Sequence, residues 1–334
     1  MSKKPEQSDA VDAVITWVDG SDPEHQNKRQ EILKSLSLQH ELSLPTGRDK
    51  TRFLDNGELR YCIESIRRFA PWIRTIHIIT DNQTPAFITP EFRNEYGINI
   101  VDHTDVFRSF EWALPNFNSR TIETALWRTP GLAPRFIYFN DDFIITKKVN
   151  RDDFFHDDKV VLRGSWKPIR KYGRVRMALN NVVSYIAKHA LGITRSMHLL
   201  LQIRSAELAG FSKQYFRAPH VPHPIHTETL KKFFKAKPEL FKENIRFQFR
   251  NMDQFSAIHL ANHIEILQQK AILKDESDVM MINGEMDFSF MVNKKLVQLK
   301  TGEVKFVCLQ GFENFGEKQR KEIESSFSTV LGLA

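Results

Sequence analysis

Residues 13–23 read AVITWVDGSDP, and this stretch sets the fold class. Ala13–Val18 is a short apolar, β-branched run, the composition of a buried strand. Asp19-Gly20-Ser21-Asp22 ends it, and Pro23 suits the first turn of a helix. The same rhythm recurs downstream. Asp55 or Asn56 stands where a helix N-cap is expected, with Leu59, Cys62, Ile63 and Ile66 on one face and Pro71 as the stop. Ile76–Thr80 (IHIIT) and Ile98–Val101 read as buried strands ending at Asp81 and at Asp102-His103. Asn118-Ser119 caps a further helix carrying Ile122 and Leu126, and Phe136–Phe139 (FIYF) is a fourth strand ending at Asn140-Asp141-Asp142. Strands alternating with helices imply βαβ units, hence an α/β fold with a mostly parallel sheet and flanking helices. Ligands of such sheets bind beyond the carboxyl ends of the strands. Polar residues crowd those four ends.

The second half is less regular. Thr227 is positioned to cap a helix bearing Leu230, Phe233 and Phe234, and Asn251 one bearing Phe255, Ile258 and Ile264. Lys305–Leu309 (KFVCL) reads as a last strand and Glu317–Leu331 as a last helix. Composition excludes several classes. With 334 residues, 41% hydrophobic and 27% charged, the chain is long enough for a sizeable core and is not compositionally disordered. Two cysteines, Cys62 and Cys308, make no disulfide scaffold. The opening MSKKPEQS has no apolar stretch behind its lysines, so a secretory signal is not expected, and no window is apolar enough for a membrane span. Cytoplasmic localisation is the expectation.

The net charge of +7 is unevenly spread. Ten Lys/Arg fall between Lys159 and Arg204, and no Asp or Glu lies between Asp158 and Glu207. Such a segment suggests an anionic partner, although a solvated basic helix and loop would look the same.

Four constellations carry possible chemistry. Asn140-Asp141-Asp142 at a strand end suits a hard cation such as Mg²⁺ or Mn²⁺, which takes oxygen ligands and bridges phosphates. An Asn/Asp-rich turn would carry the same residues without a ligand. Trp17 through Asp22, with Gly20 and Ser21 in the turn, can offer backbone N–H groups to a phosphate. It has neither the G-x-G-x-x-G nor the GK[ST] pattern of the common nucleotide folds. His220-Val221-Pro222-His223-Pro224-Ile225-His226 cannot be helical and has no cysteine nearby in sequence, so acid–base or phosphate-binding histidines fit better than zinc. Arg250, ahead of the helix expected after Asn251, can clamp a phosphate through paired hydrogen bonds.

Together these stretches resemble the Stealth family of sugar-1-phosphate transferases, which includes bacterial capsular polysaccharide phosphotransferases. Asp12–Pro23 is similar to the family's first conserved region and Arg52–Asp142 to its second. His220 through Arg250 resembles the third, and Lys305–Leu309 the fourth. After the fourth, where many members have Asn-Asp, this chain has Gln310-Gly311, leaving Glu313 as a substitute metal ligand beside Asp142.

The resemblance implies a nucleotide-sugar transferase-like, Rossmann-like fold. It divides into a nucleotide-sugar-binding half (1–150), a basic and mainly helical insertion (151–216) and a C-terminal part completing the catalytic domain (217–334). It implies a phosphotransferase that moves a sugar-1-phosphate from a nucleoside-diphosphate sugar, UDP-linked by expectation, to a sugar hydroxyl. Asp141, Asp142, His220, His223 and Arg250 would be catalytic. Trp17, Asp19, Gly20, Ser21, Asp22, Asn56, Glu58, Arg60, Asn118, Ser119 and Asn140 would line or brace the donor site. From the charge of the basic segment rather than from the resemblance, Arg170, Lys171, Arg174 and Arg176 would hold an anionic oligo- or polysaccharide acceptor, with anionic membrane lipid as the competing partner. Association with the inner face of the cell membrane and with capsule assembly is implied by the family alone. Two other readings remain open at this point. A metal-dependent glycosyltransferase would use the same donor, and a non-enzymatic polyanion-binding protein would use the basic segment, although no nucleic-acid motif is present.

Overall fold

The structure, a computed structural model, describes residues 9–38, 57–169, 198–302 and 304–333. Asp55, Asn56, Arg170, Lys171, Arg174 and Arg176 lie outside the described residues. In chain order the strands are Val11–Thr16 (β1), Ile76–Thr80 (β2), Ile98–Asp102 (β3), Arg135–Asn140 (β4), Phe143–Ile145 (β5), Phe155–His156 (β6), Lys159–Arg163 (β7), Ser165–Pro168 (β8), Gln214–Arg217 (β9), His223–His226 (β10), Ala271–Lys274 (β11), Val279–Asn283 (β12) and Phe306–Gln310 (β13). The α-helices are Pro23–Leu38 (α1), Glu58–Phe69 (α2), Pro90–Glu95 (α3), His103–Val106 (α4), Ser119–Ala125 (α5), His198–Leu208 (α6), Thr227–Ala236 (α7), Pro238–Ile245 (α8), Ala257–Leu267 (α9), Ser289–Thr301 (α10) and Glu317–Leu331 (α11).

The main sheet has the order β10-β4-β1-β2-β3. Its last four strands are parallel, and β10 runs antiparallel to β4. The expected α/β class, with a mostly parallel sheet and flanking helices, is the one found. Alternation along the strands builds two cores. Ala13, Ile15, Ile137 and Phe139 face α2, where Leu59, Cys62, Ile63 and Ile66 are all fully buried. Val14, Phe136 and Tyr138 face the other layer, with Ile122 of α5, Leu230 of α7 and Ile258 of α9. Each large side chain so buried contributes roughly 1.5–3 kcal/mol against exposure.

Chain order reverses between β1 and β4. From β1 the chain proceeds to β2 and β3 on one side, then crosses back to lay β4 on the other. The ends of these two strands are level, with Thr16 beside Asn140. That crevice is the topological switch point at which open α/β sheets bind ligands.

A second sheet, β12-β13-β5, begins two residues beyond β4 and is backed by α10 and α11 through Ile144, Val307, Leu309, Val292, Ile323 and Phe327. Two smaller sheets, β11-β7-β6 and β8-β9, flank it.

Several boundaries differ from expectation. The first strand sits two residues early because Val11 and Asp12 also pair, with Arg135 and Phe136. Ser256 caps α9, accepting from the His259 N–H, while Asn251 serves a turn by accepting from the Asp253 N–H. Thr227 is the first residue of α7 rather than its cap, and its hydroxyl donates to the Ala133 carbonyl. The described residues of 151–216 are not mainly helical: they hold β6–β9 and α6. Val160, Val161 and Leu162 are buried β-branched or aliphatic residues, and β7 pairs with β11.

Candidate active site

A cavity of about 170 Å³ opens at the switch point. Thr16, Trp17 and Val18 line it from the end of β1, Asn140 and Asp141 from the end of β4, and Asn118 and Ser119 from the start of α5. Arg250 enters from the segment before α9, and His25 and His103 close the far side.

Arg250 is aimed by its neighbours. Its Nη2 donates to Ser119 Oγ at 2.8 Å. Its segment is tied to α5 by Asn118, whose Nδ2 donates to the Phe247 carbonyl at 3.0 Å and to Gln254 Oε1 at 2.8 Å. The Asn118 Oδ1 accepts from the Arg120 N–H and so caps α5. Asn118 therefore positions Arg250, with its amide already engaged. Asn118→Ala is expected to lose about 1–3 kcal/mol of stability, because it strands these buried partners. It should also raise KM for the donor. Chemical denaturation and steady-state kinetics on one preparation would check both.

Below Arg250 lies a buried polar network. The Tyr138 hydroxyl donates to Asn140 Oδ1 at 2.6 Å and lies 3.1 Å from Thr16 Oγ1 and 3.4 Å from Glu123 Oε1. Burial pushes the Glu123 carboxyl up to about 7, although Arg250 and Arg120 pull it down. Glu123 was not foreseen from sequence. One glutamate on an amphipathic helix reads as a solvated position; here it is half-buried, bonded by Tyr138 of the next strand and near enough to Arg250 to feel its charge.

Asp142 occupies the link between β4 and β5. Its carbonyl accepts from the Leu309 N–H at 2.9 Å, and its Oδ2 accepts from Cys308 Sγ at 3.5 Å. Its Oδ1 is buried without a hydrogen-bond partner among the described residues. Burial pushes its pKa up to about 7, and the charge of Glu58 adds to the rise. Cys62 donates weakly to the Asn140 carbonyl at 3.7 Å. Burial raises both thiols well above their ordinary value, so neither is a nucleophile.

The other foreseen residues divide. His220 is half-buried, packs its ring edge-on to Phe143 at 6.4 Å and is pushed down to about 4 by burial and by Arg250. His223, paired with Tyr138 across β10 and β4, is not among the residues lining the cavity. It meets Asn262 at 3.4 Å and His259 ring to ring at 5.3 Å, and burial lowers it to about 3. Asp19, Ser21 and Asp22 are spent on their own turn. Asp19 Oδ1 accepts from the Ser21 N–H and hydroxyl, and Asp22 Oδ1 from the Glu24 N–H. Gln83 braces the turn by donating to the Asp19 carbonyl and to Asp22 Oδ2. Gly20 is likewise held there, its carbonyl accepting from Gln26. Of this stretch only Trp17 and Val18 line the cavity, and Trp17 Nε1 has no hydrogen-bond partner among the described residues. Arg60 lies on the exposed side of α2, 3.9 Å from Glu64 and over the Phe87 ring. Glu313 follows β13, with Oε1 3.5 Å from Asn314 Nδ2. No group of three or more His, Cys, Asp or Glu gathers as a metal cage among the described residues.

The chain matches the models of Stealth conserved region 1 over residues 9–37 and Stealth conserved region 2 over residues 52–162. It is 31% identical over 262 residues to an exopolysaccharide phosphotransferase of Streptomyces coelicolor, covering 76% of this chain and 25% of that protein. It is 40% identical over 147 residues to the capsular polysaccharide phosphotransferase LcbA of Neisseria meningitidis, covering 44% of this chain and 38% of that protein. A third relative, the exopolysaccharide phosphotransferase cps2G of Lactiplantibacillus plantarum, is 26% identical and is matched over 96% of this chain and 94% of its own length. The chain thus spans well under two thirds of the first two relatives. The two conserved-region models fall on β1 with α1, and on the run from α2 through β4 to β7, which between them supply both walls of the switch-point crevice; the chain belongs to the Stealth family.

Proposed function

We propose that this protein is a capsular or exopolysaccharide phosphotransferase. It would transfer a sugar-1-phosphate from a nucleoside-diphosphate sugar, with UDP as the expected nucleotide, to a hydroxyl of an oligo- or polysaccharide acceptor. The observation that carries the reading is the convergence of Arg250, Asn140 and Asp141 on one cavity at the carboxyl ends of β1 and β4, in a chain of this family. In the reaction the acceptor oxygen attacks the phosphorus bearing the sugar. The bond from that phosphorus to the bridging oxygen breaks, the nucleoside monophosphate leaves with the electron pair, and the acceptor proton passes to a base.

Arg250 is placed to neutralise charge spreading over the phosphoryl oxygens. Glu123, poised near neutral pH, is the best-matched base. His220, held neutral by burial, suits a hydrogen bond to the phosphate better than proton abstraction. His223, deeper still, supports β10 against α9. The residues also fit a divalent cation. Mg²⁺ needs only one or two carboxylates when substrate phosphates and water complete its shell, and the partnerless Oδ1 of Asp142, with Asp141, offers that set. When bound, Mg²⁺ or Mn²⁺ would offset charge on the diphosphate. Arg170, Lys171, Arg174 and Arg176 remain the candidates for an anionic acceptor, and Glu58 the neighbour that tunes Asp142.

The test is product analysis with a panel of UDP-sugars and capsule-type oligosaccharides. Nucleoside monophosphate and a phosphodiester resonance in the phosphorus NMR spectrum are expected. Release of the nucleoside diphosphate would instead establish a glycosyltransferase. EDTA should stop turnover, with Mg²⁺ or Mn²⁺ restoring it, and full activity in EDTA would remove the cation from the scheme.

A further inference from the structure

A cleft of about 460 Å³ lies at the opposite end of the main sheet from the candidate active site, and it is the larger of the two. It opens where β4 begins, at Arg135, and where the antiparallel β10 ends, at His226. Arg135 and Asn140 are the two ends of β4, so roughly 17 Å of strand separates the cleft from the active-site cavity. Its volume falls in the range of small-molecule sites.

The cleft has a built polar floor. Glu265 of α9 is 1% exposed. Its Oε1 takes the His226 ring at Nδ1, 3.0 Å away, and accepts from the Thr229 hydroxyl. This fixes the imidazole plane, as carboxylates do behind working histidines. His226 lines the cleft, and its Nε2, 4.0 Å from Asp158 Oδ1, is buried with no hydrogen-bond partner among the described residues; Glu265 Oε2 likewise has none among them. Leaving such atoms unpaired costs stability unless something meets them.

The walls carry both signs. Lys270 donates to Asp158 Oδ2 at 3.0 Å, and Arg135 approaches Asp158 at 3.9 Å. Gln268 adds an amide and Phe233 a half-buried aromatic face. A simple anion would meet Asp158 and Glu228 as well as the cations. A polyhydroxylated ring is better matched: each hydroxyl both donates and accepts, and its C–H face packs on an aromatic side chain.

The geometry points to a second saccharide-binding site, in which a neutral sugar unit lies on Phe233 and bonds His226 Nε2, Gln268 and the Lys270–Asp158 pair. It deepens the proposed function and rests on it for its purpose, which is to hold the acceptor chain away from the reacting end.

The experiment is saturation-transfer NMR on the full chain with maltose, cellobiose, lactose and N,N′-diacetylchitobiose, without any nucleotide donor. At least one is expected to bind. Gln268→Ala, at an exposed position, should weaken that binding at least tenfold with unchanged melting temperature, and Phe233→Ala, which also packs on the core, should weaken it at least tenfold with a lowered melting temperature but a folded spectrum. Arg250→Ala should leave it intact, and inorganic phosphate should not compete. Binding that survives the cleft variants but vanishes in Arg250→Ala, competition by phosphate, or no binding by any of the four would overturn the proposal. Because no donor is present, these outcomes are independent of whether the enzyme releases nucleoside monophosphate.

Discussion

Replacing Asp142 with asparagine is expected to lower kcat by about 10³-fold while leaving the protein as stable or more so. The kinetic half follows from the role proposed for Oδ1, since an amide oxygen is a poor partner for a divalent cation. The stability half follows from burial. A carboxyl whose pKa is pushed up to about 7 in the fold, against an ordinary 3.8, is harder to ionise folded than unfolded. Below about pH 4 it is protonated in both states and adds no penalty. As pH rises from 4 to 7 the unfolded chain ionises first, so the wild-type fold loses stability through that window. The asparagine variant escapes this loss. Its melting temperature, relative to wild type, should therefore climb between pH 4 and pH 7 and level off above. A flat difference across that range would mean the buried carboxylate is compensated by a partner, and a variant retaining full kcat would remove Asp142 from the chemistry.

Arg250→Ala should cost a similar factor in kcat, about 10³-fold, with a smaller change in donor KM, because the charge it meets grows in the transition state. Arg250→Lys should recover little, since an ammonium cannot reproduce the planar fork that holds Ser119 while facing a phosphate. A second signature separates this role from scaffolding. Arg250 holds down the pKa of Glu123. Without it Glu123 keeps its proton to higher pH, so the acid limb of the residual kcat/KM profile should move upward. An unmoved limb, measured on a variant with unchanged melting temperature, would dissociate Glu123 from proton transfer.

The parallel strands were legible because each is a short, largely apolar run followed within a few residues by Asp or Asn. Ile76–Thr80 needed nothing from the rest of the chain to be read. Asn140, Asp141 and Arg250, each singled out from sequence, come together on one cavity. What failed was telling ligand chemistry from turn chemistry. Asp19, Ser21 and Asp22 have the residue types a phosphate loop would use, but those types also close Asx turns and cap helices, and here they do the latter. Long-range pairing was invisible in the same way. Nothing local says that Asn118 reaches Gln254 at a separation of 136 residues, or that His223 meets His259. Strands β7 and β8 were missed because KVVLR and SWKP are short, and basic residues there read as surface.

The two-residue passage from β4 to β5 makes the reacting centre a hinge pin. Asp141 hangs from the main sheet, while Asp142 is bolted by Leu309 and Cys308 to a sheet whose backing helix, α11, docks on α2 through Phe327 and Tyr61. The orientations of these two neighbouring carboxyls are therefore set by two different sheets and by the packing between them. Under the proposed function, substitutions at the fully buried Ile323 and Phe327 would be expected to change cation affinity as well as stability, so the C-terminal helix becomes a place where the site can be adjusted without touching its own residues.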